Sequence, residues 1–494
     1  MKNKIKVIIA AATVTAIAGC AILLHSCTYT KLKRRSIYNI SAQTDGKTLK
    51  GDMKFDFFNS GEEKNELYFC LYPNAFKNES NVSNTTPKEK IDAAYPDGFD
   101  SGEINILEVY CENKKCTYSL EEDEQILKVD TGKIKKNGEK SIRIVFDEKL
   151  PYYTGRFGAG NDSYNYGNWY PVLCPEVDGK TIKSTYCVNG DPFCSDVADY
   201  SVTLAAPAQM RIASTGKMIS CDKNDPMNYI WQIKADNVRD FAFVMSESYN
   251  LCSEKTGNTV VYSYYFGDSE YGKAALTAAV NAIKCFSELF GEYPYETFSV
   301  AQADFYIGGM EYPNLVFINR DLYGEDTAEA LEEVVVHETA HQWWYGVVGN
   351  DETSEAWLDE GLTEYSVALY LDEVYGRERY GMHISDNEGY CKVVFDIMEQ
   401  SKGISDRRID RRSRDFEHWL LYDAAVYDAS AIMLDSFRSA AGKDTLIKGL
   451  KKYYLDNAYR IADKDDFLSA LTKAGGKNAE ELILPWLNGT VYWG

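Results

Sequence analysis

From Ser36 to Asn250 the apolar residues come in short runs broken by turn-forming clusters. Leu67-Tyr68-Phe69-Cys70-Leu71-Tyr72 and Ser141-Ile142-Arg143-Ile144-Val145-Phe146 are two such runs, and Asn59-Ser60-Gly61 and Lys136-Asn137-Gly138 are two of the clusters. This texture predicts many short strands packed as a sandwich or saddle. Gly155 to Tyr170 is rich in Gly, Asn and Tyr and reads as a long loop. The pattern changes near Gly267. Residues 268–290 place apolar side chains at helical spacing, and a strand is expected from Thr297 to Asp304. Helices follow over residues 326–346 and 354–375, then over 423–439 and 444–455. Asp326 with Glu329 resembles a capping box, and Gly376 is suited to stop a helix. No internal repeat or heptad pattern is found. The expected fold is α+β and multidomain: an N-terminal segment 1–35, a β-rich domain 36–250, and a mainly helical domain 251–494.

Lys2, Lys4 and Lys6 precede an uncharged apolar run from Val7 to Leu24. A run of that length suffices to span a bilayer and predicts an uncleaved membrane anchor. Ile17-Ala18-Gly19-Cys20 also resembles a lipoprotein box, so a lipoprotein or a cleaved signal are the alternatives. Basic residues stand on both sides of the run, and charge alone does not orient it. A first span followed by one large domain usually delivers that domain outside, so an extracytoplasmic location is expected.

The chain has 494 residues, with 53 Lys plus Arg against 75 Asp plus Glu and a net charge of −22. That balance argues against nucleic acid as a partner. There are 12 cysteines and none forms a C-x-x-C pair, so a cysteine zinc site is not indicated. Cys111 and Cys116 flank a polar hairpin tip that a disulfide could close, and Cys187 with Cys194 is a second candidate pair. Free buried thiols are the alternative reading for any of them.

Histidine is scarce, with 5 in the chain, and two stand four residues apart in His337-Glu338-Thr339-Ala340-His341. On a helix, residues i and i+4 share a face, so both imidazoles can reach one ion. Glu338 is rotated beside that ion, where a carboxylate can take a proton from a metal-activated water. Glu360, in Trp357-Leu358-Asp359-Glu360-Gly361, supplies a third ligand near the start of the next helix. Two His and one Glu leave a fourth position open, as a catalytic zinc site requires. Gly361 inside a helix costs about 1 kcal/mol relative to Ala, which close packing beside the metal helix would explain. Glu364, one turn beyond Glu360, could orient a ligand or be a solvated helix charge. Upstream, Gly308-Gly309-Met310-Glu311-Tyr312-Pro313 places a carboxylate after two glycines. Paired glycines let a backbone lie close to an added peptide strand, and Glu311 at its end suits a cationic group such as a peptide α-ammonium.

Together these motifs resemble the aminopeptidase N family of zinc exopeptidases, in its bacterial G-G-M-E-Y-P branch. Gln342-Trp343-Trp344 and Trp357 to Gly361 match further family segments, as do Asp199-Tyr200, Ser214-Thr215-Gly216 and Arg239-Asp240-Phe241-Ala242. The resemblance implies a saddle-like β domain followed by a thermolysin-like catalytic domain holding one Zn²⁺ per chain. It implies His337, His341 and Glu360 as ligands and Glu338 as the catalytic carboxylate. It also implies substrate binding by Gly308, Gly309 and Glu311, and a transition-state tyrosine best matched by Tyr427, with Tyr422 as a second tyrosine. The family's Lys and Gly after that tyrosine are missing here. Larger members add a helical C-terminal domain, so a chain ending at Gly494 implies a more open site. Peptides with a free N-terminus are the expected substrates. The competing readings are a membrane-anchored zinc endopeptidase and a catalytically silent peptide-binding domain.

Overall fold

The computed structural model of the chain describes residues 34–83, 88–187, 189–475 and 479–491. Alternation of buried and outward residues builds the first half. In Ile37–Thr44 every second residue is buried, and Glu139–Lys149 turns Ile142, Ile144, Phe146 and Glu148 inward. Eight strands share one sheet. Ile37–Thr44 lies within it, parallel to Ala198–Pro207 and antiparallel to Thr48–Phe58. Two four-stranded sheets and a two-stranded one, Glu176–Val177 with Lys180–Thr181, complete this half. Aromatic side chains fill the interior; Tyr38 and Tyr200 stack with ring centroids 4.7 Å apart. Two short helices interrupt this half, Glu79–Ser83 and α1 (Lys88–Ala94). The Cys111 and Cys116 sulfurs face one another at 2.7 Å as free thiols. Cys187 and Cys194 do not pair; both are free, and the Cys187 thiol donates to the Asn189 carbonyl.

The second half opens with β1 (Asn250–Thr256) and β2 (Thr259–Tyr265), crosses through α2 (Ser269–Leu289), and continues as β3 (Thr297–Ala303), β4 (Gly309–Met310) and β5 (Leu315–Asn319). The sheet order is β1-β2-β3-β5-β4, with β4 at one edge. Helices α3 (Ala328–Ala340), α4 (Glu360–Val374) and α5 (Arg377–Lys402) follow. Next come α6 (Trp419–Asp423), a π-helical turn (Ala424–Asp428) and α7 (Ala429–Ala441). The fold is α+β, a multi-sheet β half followed by a mainly helical one.

Several local expectations need correction, among them the long loop expected over Gly155 to Tyr170, which holds the paired strands Phe157–Ala159 and Tyr164–Tyr166. The helix expected over 326–346 ends at Ala340. Tyr345 has φ 109°, and the carbonyls of Tyr345 and Val347 accept from the buried Arg239 guanidinium at 2.6 and 3.1 Å instead of extending the helix. The capping box does not form: the cap position is Thr327, whose hydroxyl donates to the Leu322 carbonyl at 2.8 Å. The helix expected over 354–375 is broken by a 3₁₀ turn at Ala356–Leu358, so that α4 begins on Glu360 itself. Gly376 does end α4, with φ 91° and its N–H on the Leu371 carbonyl. The apolar run Val7 to Leu24 lies outside the described residues, and among these no helix is long and apolar enough to cross a membrane.

Candidate active site

The local geometry of α3 brings the two histidines together. His337 lies in its last turn and His341 caps its C-terminus, with ring centroids 5.0 Å apart. Glu360 enters from the first residue of α4, which packs against α3. One Glu360 oxygen, Oε2, lies 3.3 Å from His337 Nε2 and 3.2 Å from His341 Nε2. Tetrahedral bonds of about 2.05 Å to nitrogen and oxygen place neighbouring donors roughly 3.3 Å apart. Glu360 Oε2 therefore sits from each imidazole at the spacing a four-coordinate zinc ion asks for, and the three donors lie within 4.8 Å of one another.

Each imidazole is aimed by its other nitrogen. His337 Nδ1 is 3.1 Å from Glu364 Oε2. His341 Nδ1 is 2.6 Å from Asp359 Oδ1 and also meets Trp344 O and Thr363 Oγ1 at 3.2 Å. Both contacts leave Nε2 directed at Glu360, the arrangement that orients metal-ligating histidines. Glu311, His341 and Asp359 form a second group of donors within reach of one another. Because His341 Nδ1 already holds Asp359, that group serves ring orientation.

Glu338 is buried beside the ligands, with its Oε2 unpartnered. Burial pushes its carboxyl up to about 7, against the pull of His337 and His341. Burial would lower His337, but Glu360 and Glu364 carry it to about 10. Burial also acts on Glu360, yet the two histidines hold its carboxyl well below the ordinary range.

The strand carrying Gly308, Gly309 and Glu311 runs alongside. Gly308 gives its carbonyl to the Asn319 N–H at 2.9 Å, and Gly309 stands opposite Ile318. Backbone groups alternate sides along a strand, so Gly309 presents its own N–H and C=O to the open edge. A Cβ on Gly309 would lie 2.4 Å from Glu338 Oε1, whereas one on Gly308 would meet only Val334, at 3.5 Å. Glu311 is 3% exposed with Oε1 unpartnered. Burial and then the neighbouring Asp191 carboxylate hold its carboxyl well above the usual range. Asp191 is buried and ion-paired with Arg156, which also lies over the Phe193 ring.

Tyr427 projects from the π-helical turn, and its hydroxyl donates to Glu360 Oε1 at 2.6 Å. Tyr422 lies beside it, with ring centroids 6.1 Å apart and its hydroxyl unpartnered near Gly190. Gly361 is tolerated for a reason different from the expected one. A Cβ there would meet Ser430 and the Val426 carbonyl, so the close packing is against the tyrosine-bearing turn and not the metal helix.

All nine residues singled out from the sequence line or adjoin one cleft of 400 Å³. Three more were missed: Asp359, Asp191 and Arg156. Asp359 was legible as the neighbour of Glu360. Asp191 and Arg156 sit on segments of the β half that carry no motif.

Residues 274–486 match the family described as Peptidase family M1 domain. Among curated relatives, Aminopeptidase N of Lactobacillus delbrueckii subsp. lactis is 24% identical over 408 residues, covering 79% of this chain and 46% of its own. Aminopeptidase M1 of Arabidopsis thaliana is 22% identical over 379 residues, 74% of this chain and 42% of its own. The chain thus spans less than half the length of both. A crystal structure of an M1 zinc metallopeptidase from Deinococcus radiodurans superposes with TM-score 0.65 at 15% identity, covering 93% of this chain and 94% of that one. A mutant of that enzyme bound to a Tyr-Ser-Ala substrate gives TM-score 0.62, also at 15% identity, covering 92% and 94%. The likeness to both structures is one of fold.

Proposed function

Residues 274–486 match the family described as Peptidase family M1 domain, and from that match we propose that the chain is a zinc-dependent aminopeptidase that removes the N-terminal residue of peptides. The observation that carries the reading is Glu311, a buried carboxylate whose Oε1 has no partner, in the cleft that holds the three-donor cluster. His337, His341 and Glu360 would hold the ion. When bound, zinc lowers the pKa of a coordinated water and polarises the scissile carbonyl. Glu338 accepts the water proton and passes it to the leaving amine. The Tyr427 hydroxyl turns from Glu360 to donate to the oxyanion, with Tyr422 beside it. Glu311 and Asp191 hold the α-ammonium, which sets the cut after the first residue. Gly309 binds the peptide as an added strand, and Gly308 keeps that strand in the sheet.

The apolar run Val7 to Leu24 anchors the enzyme at a membrane, with the peptidase outside the cytoplasm. Fractionation of the expressed full chain tests this, and recovery in the soluble fraction would refute it. The activity is tested with matched free and N-acetylated peptides, alongside Glu338→Gln. Cleavage of free peptides alone, lost in Glu338→Gln with zinc retained, is expected. Internal cleavage of acetylated peptides would replace this reading with an endopeptidase. Full turnover by Glu338→Gln would refute the mechanism.

A further inference from the structure

We infer that Lys90, on α1, receives the C-terminal carboxylate of the substrate, which makes short peptides with a free C-terminus the substrate class of this cleft; the inference rests on the aminopeptidase reading. The direction of the bound peptide follows from the edge strand. With its ammonium at Glu311, a peptide lying beside β4 extends back past Gly309 and Gly308 toward Ile307 and Tyr306, since the chain beyond Glu311 turns through Tyr312-Pro313-Asn314 into β5. That end of the cleft is tied to α1. Tyr306 N–H donates to Thr154 O at 2.7 Å, and Thr154 N–H donates to Ala94 O at 2.9 Å. The Thr154 hydroxyl donates to Ala93 O at 3.0 Å.

Lys90 stands one turn before Ala94, and its ammonium lies 3.4 Å from the centre of the Trp419 ring. Both side chains line the same cleft as Glu311 and His337. Among the described residues no carboxylate lies within ion-pair distance of Lys90. The acid it feels, Asp423, accepts the Tyr390 hydroxyl at 2.7 Å. Burial pushes the Lys90 ammonium down, so a carboxylate from substrate would relieve it. Glu311 and Asp191 thus line one part of the cleft and Lys90, the one lysine among the described residues of its lining, another part near Asp423. This polarity matches a zwitterionic peptide.

The reach sets the length. Trp419 and Tyr427 are eight residues apart along α6 and the π-helical turn, an axial distance of roughly 12 Å at 1.5 Å per residue. Tyr427 touches Glu360 at the metal cluster. An extended peptide covers that distance in about three residues. With the residue ahead of the scissile bond added, tri- and tetrapeptides fit.

The test compares kcat/KM for tri- and tetra-alanine as free acids and as C-terminal amides, in the wild type, Lys90→Gln and Lys90→Arg. The wild type should prefer the acid by about tenfold, the scale of one charge-assisted contact. Lys90→Gln should bring the acid-to-amide ratio near one, and Lys90→Arg should restore it. An unchanged ratio in Lys90→Gln overturns the inference, including the case where acid and amide lose activity equally. N-terminal cleavage of both forms at equal rates by the wild type overturns this inference alone. Failure to cleave either overturns the aminopeptidase reading instead.

Discussion

Replacing Gly309 by alanine tests the site at a single methyl group. A Cβ at this position would lie 2.4 Å from Glu338 Oε1 and 2.6 Å from its Cδ and Cγ. Relieving that overlap requires a movement of about 1 Å, taken up by the β4 backbone or by the Glu338 carboxylate. The backbone is held by its pairing to β5, so the carboxylate must yield. A misplacement of about 1 Å in a catalytic group costs on the order of a hundredfold in rate. Gly309→Ala should therefore lose about 2.7 kcal/mol of transition-state stabilisation while its zinc content stays at one per chain. Gly308→Ala is the matched control, because its Cβ makes ordinary contact with Val334 at 3.5 Å. It should keep most of its activity. The assay is steady-state hydrolysis of an aminoacyl p-nitroanilide, with zinc measured by atomic absorption and folding by thermal denaturation. Equal activity of the two alanine variants would refute the geometric argument. So would loss of zinc from Gly309→Ala, which would place the damage at the ligands rather than at Glu338.

Asp359→Asn removes the charge that aims His341, and should weaken zinc binding 10–100-fold in chelator competition. Tyr427→Phe removes a hydroxyl held 2.6 Å from Glu360; kcat should fall by about 10²–10³ with zinc still bound, as for other oxyanion donors. Zinc uptake by the metal-free protein at pH 7 should release protons, because contacts with Glu360 and Glu364 outweigh burial and carry His337 to about 10, while a zinc-bound imidazole must be neutral. Affinity should then rise with pH up to about 10, and calorimetry in buffers of different ionisation enthalpy would show no proton release if the reasoning fails. Incubation with oxidised glutathione should join Cys111 to Cys116, whose sulfurs face each other at 2.7 Å, and leave Cys187 and Cys194 open to alkylation after denaturation.

The parts of the site that could be read from the sequence are those set by local periodicity. His337 and His341 share a face because a helix repeats every 3.6 residues, and Glu360 is returned to that face by the connection 341–359, which holds its own helical turn (Glu352–Glu355) and a 3₁₀ turn. Periodicity does not show where a helix ends: α3 stops at Ala340, and the carbonyls of Tyr345 and Val347 beyond it are taken by Arg239, a side chain from the β half. It also cannot separate the duties of two adjacent acids. Asp359 stands at the cap just before α4 and Glu360 on its first residue, and one reaches a ring nitrogen while the other faces both imidazoles. Asp191, Arg156 and Lys90 were beyond reach for another reason. They stand on loops and a short helix far from the motif, and only long-range contacts bring them to the cleft.

Those distant residues change the electrostatic logic of the site. Asp191, Glu311, Glu338, Glu352, Asp359 and Glu360 are all buried around one centre, and Arg156 is a permanent cation buried among them. Burial drives Glu311 and Glu352 well above the carboxylate range and lifts Glu338 and Asp359 to about 7. A fold would gain stability by replacing several of these acids with apolar side chains, since an unpaired buried carboxylate is costly. Their collection makes sense if cations complete the site: a divalent ion at His337, His341 and Glu360, and an ammonium at Glu311 and Asp191. The acid excess of the whole chain cannot produce this effect, because salt screens exposed charges over about 10 Å. The local cluster can, because its members lie too deep to be screened.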